Sequence, residues 1–510
     1  MTSYGSGVAD LAASIREAYA FEGAALDLGR GVHEEKLDLD AVVQLPLATS
    51  NRHGLIAGAT GTGKTRTLQL LAEQLSEAGV AVFAADYKGD LSGLLVHGPA
   101  DGKASERMTE LGLQHEPAAY PVELLSLGGL GPGVPVRATV TDFGPQLLAK
   151  VLGSNKTQES SLALVFRYAD ERGLALVDLE DLRALLTFLD SKEGKEDLSG
   201  IGGVSKQTIG VLLRSLVQLE DGGGTEFFGE PQFEIADLLR TAPDGRGVVS
   251  CLELAAVQDK PRLFSTVLMW LLAELFEQLP EVGDLDKPKL VFFFDKAHLL
   301  FDDATGAFLE SVERTVRMIR SKGVGVFFVT QHPTDLPSSV LGQLGNRIQH
   351  ALRAFTPNDA AALRKTVRTY PTSELYDLEQ LLTSLGIGEA AVTVLDEDGV
   401  PTPVVHVRLR APRASMDPAP DLDAPAKASP LWTKYGTRLE RETAAEALSK
   451  RVEAASAAEP DAAPAKKTRT ERKPPKAPSD PLTDFITSRQ GKAIQREIVR
   501  GVFGMLKKRL

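Results

Sequence analysis

The chain has 510 residues, 43% of them hydrophobic and 25% charged, with a formal net charge of −12 and one cysteine, Cys251. These values describe a globular chain in water; they exclude a disulfide-stapled scaffold and argue against a protein that coats nucleic acid over its whole surface. No apolar run reaches the ~18 residues of a membrane span, and the first 20 residues lack the basic-then-apolar layout of a secretory leader, so a cytoplasmic protein with no membrane partner is expected.

In chain order, residues 1–50 form a lead-in segment with a helical stretch and a short "DLGRGV" piece. The first apolar strand is predicted at 53–59, "HGLIAGA", and runs into "GATGTGKT" at 58–65. That octet fits G-x-x-x-x-G-K-[ST] in full and opens the helical "TRTLQLLAEQL", the strand–loop–helix context a phosphate loop requires. Gly58, Gly61 and Gly63 allow the backbone N–H groups of Gly58, Ala59, Thr60, Gly61, Thr62, Gly63, Lys64, Thr65 and Arg66 to turn around an ATP phosphate chain. Lys64 is the residue to reach the β/γ-phosphates, and the Thr65 hydroxyl is the one to hold Mg2+. A second strand at 80–86 ends in "DYKGD", which sets Asp86, Lys88 and Asp90 at a strand edge where open sheets bind ligands.

Helical patterning then dominates 143–222, read as an insertion between the two parts of an α/β core, 51–142 and 223–412. Further strands are predicted at 247–254, 289–295, 324–330 and 348–355, and "LFSTVLMWLLAELF" (263–276) reads as a buried helix. Continuous apolar strands separated by helices predict a mainly parallel sheet covered on both faces. The run "KLVFFFD" ends in Asp295, placed to hold Mg2+ directly or through water; "VGVFFVT" leads to Gln331, placed to orient water or sense the γ-phosphate. From 413 to 480 the chain is rich in Ala, Pro and charge and reads as a flexible linker with room for one helix. The end, 481–510, carries seven Lys/Arg against two acids, a balance of +5 that leaves −17 for the rest, and its apolar residues recur at helical spacing. A basic amphipathic C-terminal helix is expected there.

The segments "NRHGLIAGATGTGKT", "DYKGDLSG", "GEPQFEIADLL", "KPKLVFFFD", "IRSKGVGVFFVTQ" and "LGQLGNRIQHALRAFTPND" together resemble the HerA/FtsK superfamily of P-loop ATPases, and within it the HerA-like helicase/YjgR family. The resemblance implies a RecA-like fold, ATP and Mg2+ as ligands, a homo-oligomer (a hexamer in that superfamily) and action on DNA. It also implies an arginine reaching a neighbour's γ-phosphate. Arg347, in "GNRI", is the candidate by position, with Arg137, Arg353 and Arg364 as rivals.

One residue departs from the family pattern. After the strand-end aspartate the family has glutamate, the water-activating base, and this chain has Lys296. An ammonium cannot accept a proton near pH 7, and its attraction for a triphosphate is much the same in ground and transition states. Three expectations follow: slow turnover in an ATP-binding switch or scaffold; replacement of the base by Asp302, Asp303, Glu310 or Glu159; or a substitution peculiar to this chain. His298 is read as a packing or hydrogen-bonding residue.

Overall fold

The computed structural model describes residues 13–198, 202–283, 285–301, 306–373, 375–439 and 443–458. The predicted basic helix at 481–510 and residues 440–442 and 459–480 of the predicted linker lie outside them, as do Asp302 and Asp303. The chain divides at Val452 into one compact unit and a second that begins at Glu453; only the first is treated below.

Twelve strands among the described residues form one sheet. They are β1 (Ala25–His33), β2 (Lys36–Pro46), β3 (Gly54–Ala57), β4 (Ala81–Asp86), β5 (Val122–Leu127), β6 (Val134–Val136), β7 (Val249–Glu253), β8 (Leu290–Phe294), β9 (Val324–Thr330), β10 (Asn346–Gln349), β11 (Glu389–Thr393) and β12 (Val405–Leu409). The order across the sheet is β2-β1-β12-β11-β10-β3-β9-β8-β4-β7-β5-β6. From β10 to β6 every pairing is parallel, and from β10 to β2 every pairing is antiparallel. The central strands are buried along their whole length, as a sheet covered on both faces requires.

Side-chain alternation divides the core in two. Phe83, Ala85, Leu252, Phe292 and Phe294 join one apolar cluster with the 261–278 and 306–319 helices. Val82, Ala84, Cys251, Val291 and Phe293 join the other, with Leu68, Leu71 and Leu75 of the helix Lys64–Glu77. Phe292, Phe293 and Phe294 are fully buried, and each such burial contributes roughly 1.5–3 kcal/mol. The strand carrying Asp295 is therefore anchored from both faces. Between β6 and β7 the chain runs through helices Val140–Val151, Lys156–Glu171, Leu179–Asp190, Lys192–Leu198 and Lys206–Leu219. Their Leu162, Val165, Leu182, Leu185, Leu212 and Leu216 belong to the same cluster as β8, so these helices share the sheet's core.

Two segments differ from the sequence reading. Residues 25–46 are not a lead-in but a β1–β2 hairpin, joined to β12 and extending the sheet. Residues 413–439, expected to be the start of a flexible linker, pack on the body. Arg413 and Ala414 donate their N–H groups to Glu73, Leu431 and Tyr435 are buried, and the Tyr435 hydroxyl donates to Asp237 at 2.6 Å. A few apolar anchors and satisfied polar groups offset the ordering entropy that composition alone counts against such a stretch.

A candidate nucleotide site at the strand ends

The C-terminal edge of the parallel strands carries the predicted site. Beyond β3 the backbone turns through Gly58 (φ +150°), Gly61 (φ +80°) and Gly63 (φ +117°), then enters the helix at Lys64. A Cβ on Gly58 would lie 2.5 Å from His350 Cβ, whereas one on Gly61 would meet nothing within 4 Å. The loop is thus packed against the protein at its base and open at its crown, where phosphate oxygens would enter. Lys64 Nζ donates to the carbonyls of Gly58 (2.6 Å) and Ala59 (3.0 Å), and Thr62 Oγ1 donates to Ala59 O (2.8 Å). Ala59 N–H bonds Ala351 O, and Thr62 O accepts from Gly388 N–H, which ties the loop to the β10–β11 side.

His350 supports the loop from below, a role the sequence did not disclose because the residue reads there as part of a strand. It is fully buried, Nε2 lies 2.8 Å from Thr67 Oγ1, and burial followed by the Lys64 charge pushes its pKa down to about 3. It is neutral at every physiological pH.

β9 lies beside β3, with Ala57 opposite Thr330, so Gln331 flanks Gly58, whose N–H points at the carbonyls of Thr330 and Gln331. Thr330 Oγ1 and His332 N–H both donate to Asp335, which fixes the strand end. Next comes β8, whose Asp295 is 9% exposed and accepts the Lys296 N–H on Oδ1 (2.9 Å). Burial raises the Asp295 pKa, while the Lys296 ammonium, that N–H bond and Lys64 act against the rise. Lys64 itself is pushed down to about 8, first by burial and then by Lys296; Asp295 pulls it back up and Lys88 adds a smaller push down. Lys64, Asp295, Lys296 and Lys88 are therefore one electrostatic group.

Lys296 adopts φ +57° and ψ +41°, the left-handed region disfavoured for a residue with a side chain, and the chain turns there into a short 297–300 helix. The side chain is half-buried and forms no ion pair among the described residues. Of the alternative carboxylates, Glu310 is exposed on the 306–319 helix and Glu159 lies on the 156–171 helix; no recorded contact joins either to the phosphate loop. His298 is half-buried, and its Nδ1 has no partner among the described residues.

Two further carboxylates line up beside Asp295. Asp86 ends β4 and is opposite Glu253 at the end of β7. Asp86 accepts the N–H groups of Lys88, Gly89 and Leu91, so it holds the "DYKGD" loop, and burial raises its pKa to about 6. Glu253 is 2% exposed with Oε1 unpartnered, and burial, then Asp86, raises its pKa to about 8. Nothing in "SCLEL" signals a site; only the strand register brings Glu253 there.

Arg347 is not brought to the phosphate loop of its own chain. It sits near the start of β10, opposite Leu55, and its guanidinium donates to the carbonyls of Leu341, Leu344 and Thr369 while stacking on Tyr370. Arg137 is buried, whereas Arg353 and Arg364 are exposed.

The hydroxyl of Thr65 and the carboxylate of Asp295 are oxygen donors of the kind Mg2+ takes. Thr65 and Asp295 would be the residues to hold such an ion together with phosphate oxygens, since no cluster of three or more His, Cys, Asp or Glu side chains among the described residues forms an all-protein cage. Thr65 is half-buried at the start of the 64–77 helix, where the positive end of the helix dipole faces the loop.

A glycine loop between a buried strand and a helix, with a strand-end aspartate two strands away in a mainly parallel sheet, defines a P-loop ATPase of RecA-like architecture. Residues 33–509 match the family described as "Helicase HerA-like C-terminal". The chain belongs to that family. It is 22% identical over 365 residues to "Probable helicase MJECL08" of Methanocaldococcus jannaschii, an overlap of 67% of this chain and 63% of that protein. The chain thus spans less than two thirds of that relative's length. Among solved structures, the bacterial conjugative coupling protein TrwB (unbound, monoclinic form) has a TM-score of 0.51 at 14% identity, covering 80% of this chain and 95% of the other. Plasmid coupling protein TrwB in complex with the GTP analogue GDPNP has a TM-score of 0.52 at 15% identity, with coverage of 80% and 95%. These likenesses establish the fold. None of the described helices is long and apolar enough to cross a membrane.

Proposed function

We propose that the chain binds ATP with Mg2+ at the 58–65 loop, assembles as a cytoplasmic homo-oligomer, hexameric by its family resemblance, and acts on DNA as a motor whose hydrolytic step is slowed by Lys296. The observation that carries this reading is the joining of Lys64, Thr65, Asp295 and Gln331 at one sheet edge by strands β3, β9 and β8. Lys64 would leave its two carbonyls for the β/γ-phosphates. Thr65 and Asp295 would hold the metal, which when bound neutralises phosphate charge and orients the γ-phosphoryl group. Gln331 would position water. Arg347, facing away from its own loop, is assigned to a neighbouring subunit's nucleotide, a role that requires release of its carbonyl contacts.

The second reading is a nucleotide-dependent assembly switch with little turnover, and Lys296 favours it: the position that should activate water carries an ammonium. Equilibrium binding of a fluorescent ATP analogue with Mg2+, to this chain and to Lys64→Ala, tests the shared part. Binding lost by tenfold or more in Lys64→Ala is expected; equal binding overturns the site. DNA-stimulated turnover supports the motor, and nucleotide-dependent oligomers without turnover support the switch.

A further inference from the structure

A second recess lies far from the phosphate loop. β5 is five steps from β3 across the sheet, about 24 Å at the spacing of neighbouring strands. Where β5 ends, "GGLGPG" (128–133) turns with positive φ at Gly128, Gly129, Gly131 and Gly133. The segment 423–436, with its helices Asp423–Ala428 and Pro430–Tyr435, closes over that loop. The cavity between them measures about 270 Å³ and is lined by the glycine loop, Arg137, Asp423, Lys427 and Trp432.

Arg137 is the unusual member. It is 6% exposed, yet no carboxylate forms an ion pair with it among the described residues. Nη1 donates to Tyr435 O (3.0 Å), but Nε is buried without a partner, and Nη2 lies beside Gly129 with no hydrogen bond. A buried guanidinium with no ion-pair partner and with donors left over is costly unless something else answers them. Its charged neighbours are Arg438, which repels it, and Glu226. Arg438 is itself engaged by the Phe228 carbonyl and, at 3.6 Å, by Asp178. The N–H groups of Gly129 and Gly131 make no hydrogen bond among the described residues, so the loop offers further donors. Lys427 is exposed at the rim and forms no ion pair among the described residues.

These donors suit a phosphate group, for which a planar guanidinium and successive backbone N–H groups are the usual partners. The other lining residues suit what a phosphate is attached to. Asp423 sets one free carboxylate in a cationic recess, where it repels a bare anion but accepts from ribose hydroxyls, as acidic residues do in dinucleotide folds. Trp432 supplies an aromatic wall for a base. The volume is just under the ~300–1,000 Å³ of typical small-molecule sites, which limits the occupant to one nucleotide unit.

We propose that this recess is a second ligand site that takes a free ribonucleoside monophosphate, its phosphate on Arg137, Lys427 and the 129–131 backbone, its ribose on Asp423 and its base against Trp432. The site is independent of the phosphate loop, so its success or failure leaves the reading of that loop untouched.

Equilibrium dialysis with labelled AMP, whose lone phosphate gives the ATP loop little to hold, is the test. One AMP per full-length chain is expected, retained when excess ATPγS with Mg2+ fills the first site and retained in Lys64→Ala. Lys427→Glu, an exposed change, should weaken AMP at least tenfold, and dAMP, which lacks the 2′-hydroxyl, should bind several-fold more weakly than AMP. Arg137→Gln should abolish binding; because it alters a buried position, its fold is checked by circular dichroism, and Lys427→Glu carries the test if it fails. The proposal is overturned if AMP does not bind at millimolar concentration, if ATPγS displaces it, if Lys427→Glu leaves it unchanged, or if only an oligonucleotide binds.

Discussion

Replacing Glu253 with glutamine should make the protein more stable in alkaline solution while leaving it almost unchanged in acid. Glu253 is 2% exposed, one carboxylate oxygen has no partner, and Asp86 stands opposite it on the neighbouring strand. Burial therefore favours its protonated form, and the pKa rises from 4.5 to about 8. A carboxyl whose folded pKa is raised binds more protons in the folded than in the unfolded chain. Its unfavourable contribution is absent below about pH 4.5 and develops fully as pH rises through about 8. Each unit corresponds to about 1.4 kcal/mol, and sharing of the proton with Asp86 leaves an expected gain on the order of 2–4 kcal/mol above pH 8 for Glu253→Gln. Urea unfolding of both proteins from pH 5 to pH 9 measures it. The native chain should lose stability across that window, and the variant should lose less. Parallel curves would show instead that Glu253 is solvated or paired and that burial does not hold its proton.

His350→Ala removes a fully buried ring and its contact with Thr67 Oγ1, at an expected cost of about 2–4 kcal/mol from cavity and orphaned hydroxyl together. Denaturant unfolding checks this, and a loss under about 1 kcal/mol would mean the ring does not brace the loop. Lys64, held at about 8 by burial and Lys296, loses its charge as pH rises through that value. ATP affinity should accordingly fall between pH 7 and 9.5, with proton uptake on binding above pH 8 visible in buffer-dependent calorimetric heats; a flat profile would contradict the assigned role.

The parts of the fold legible in the sequence were those whose signals are local. The glycine loop, the triple phenylalanine before Asp295 and the apolar run before Gln331 each combine a motif with a buried strand, and the structure places all three side by side. The β1–β2 hairpin was not legible, because its turn is made by Glu34 and Glu35 at φ +48° and +62°, positions where Asn-Gly or Gly-Gly would have announced it. Glu253 was hidden for another reason. Its place depends on the parallel register of β4 and β7, separated by the intervening helices, and no window of sequence contains that pairing. Residues 413–439 misled by composition, since buried Leu431 and Tyr435, together with hydrogen bonds to Glu73 and Asp237, dock a stretch that Ala, Pro and charge otherwise dominate.

We propose above that Lys296 stands at the water-activating position, beside Asp295 as the carboxylate for Mg2+. Single-turnover hydrolysis of ATP by this chain and by Lys296→Glu tests it most directly. A restored general base is worth roughly 10²–10⁴ in rate, about 3–5 kcal/mol of barrier. Lys296→Glu should accelerate hydrolysis by that factor, with no gain in ATP affinity. Equal rates in the two proteins would contradict it, placing the base elsewhere.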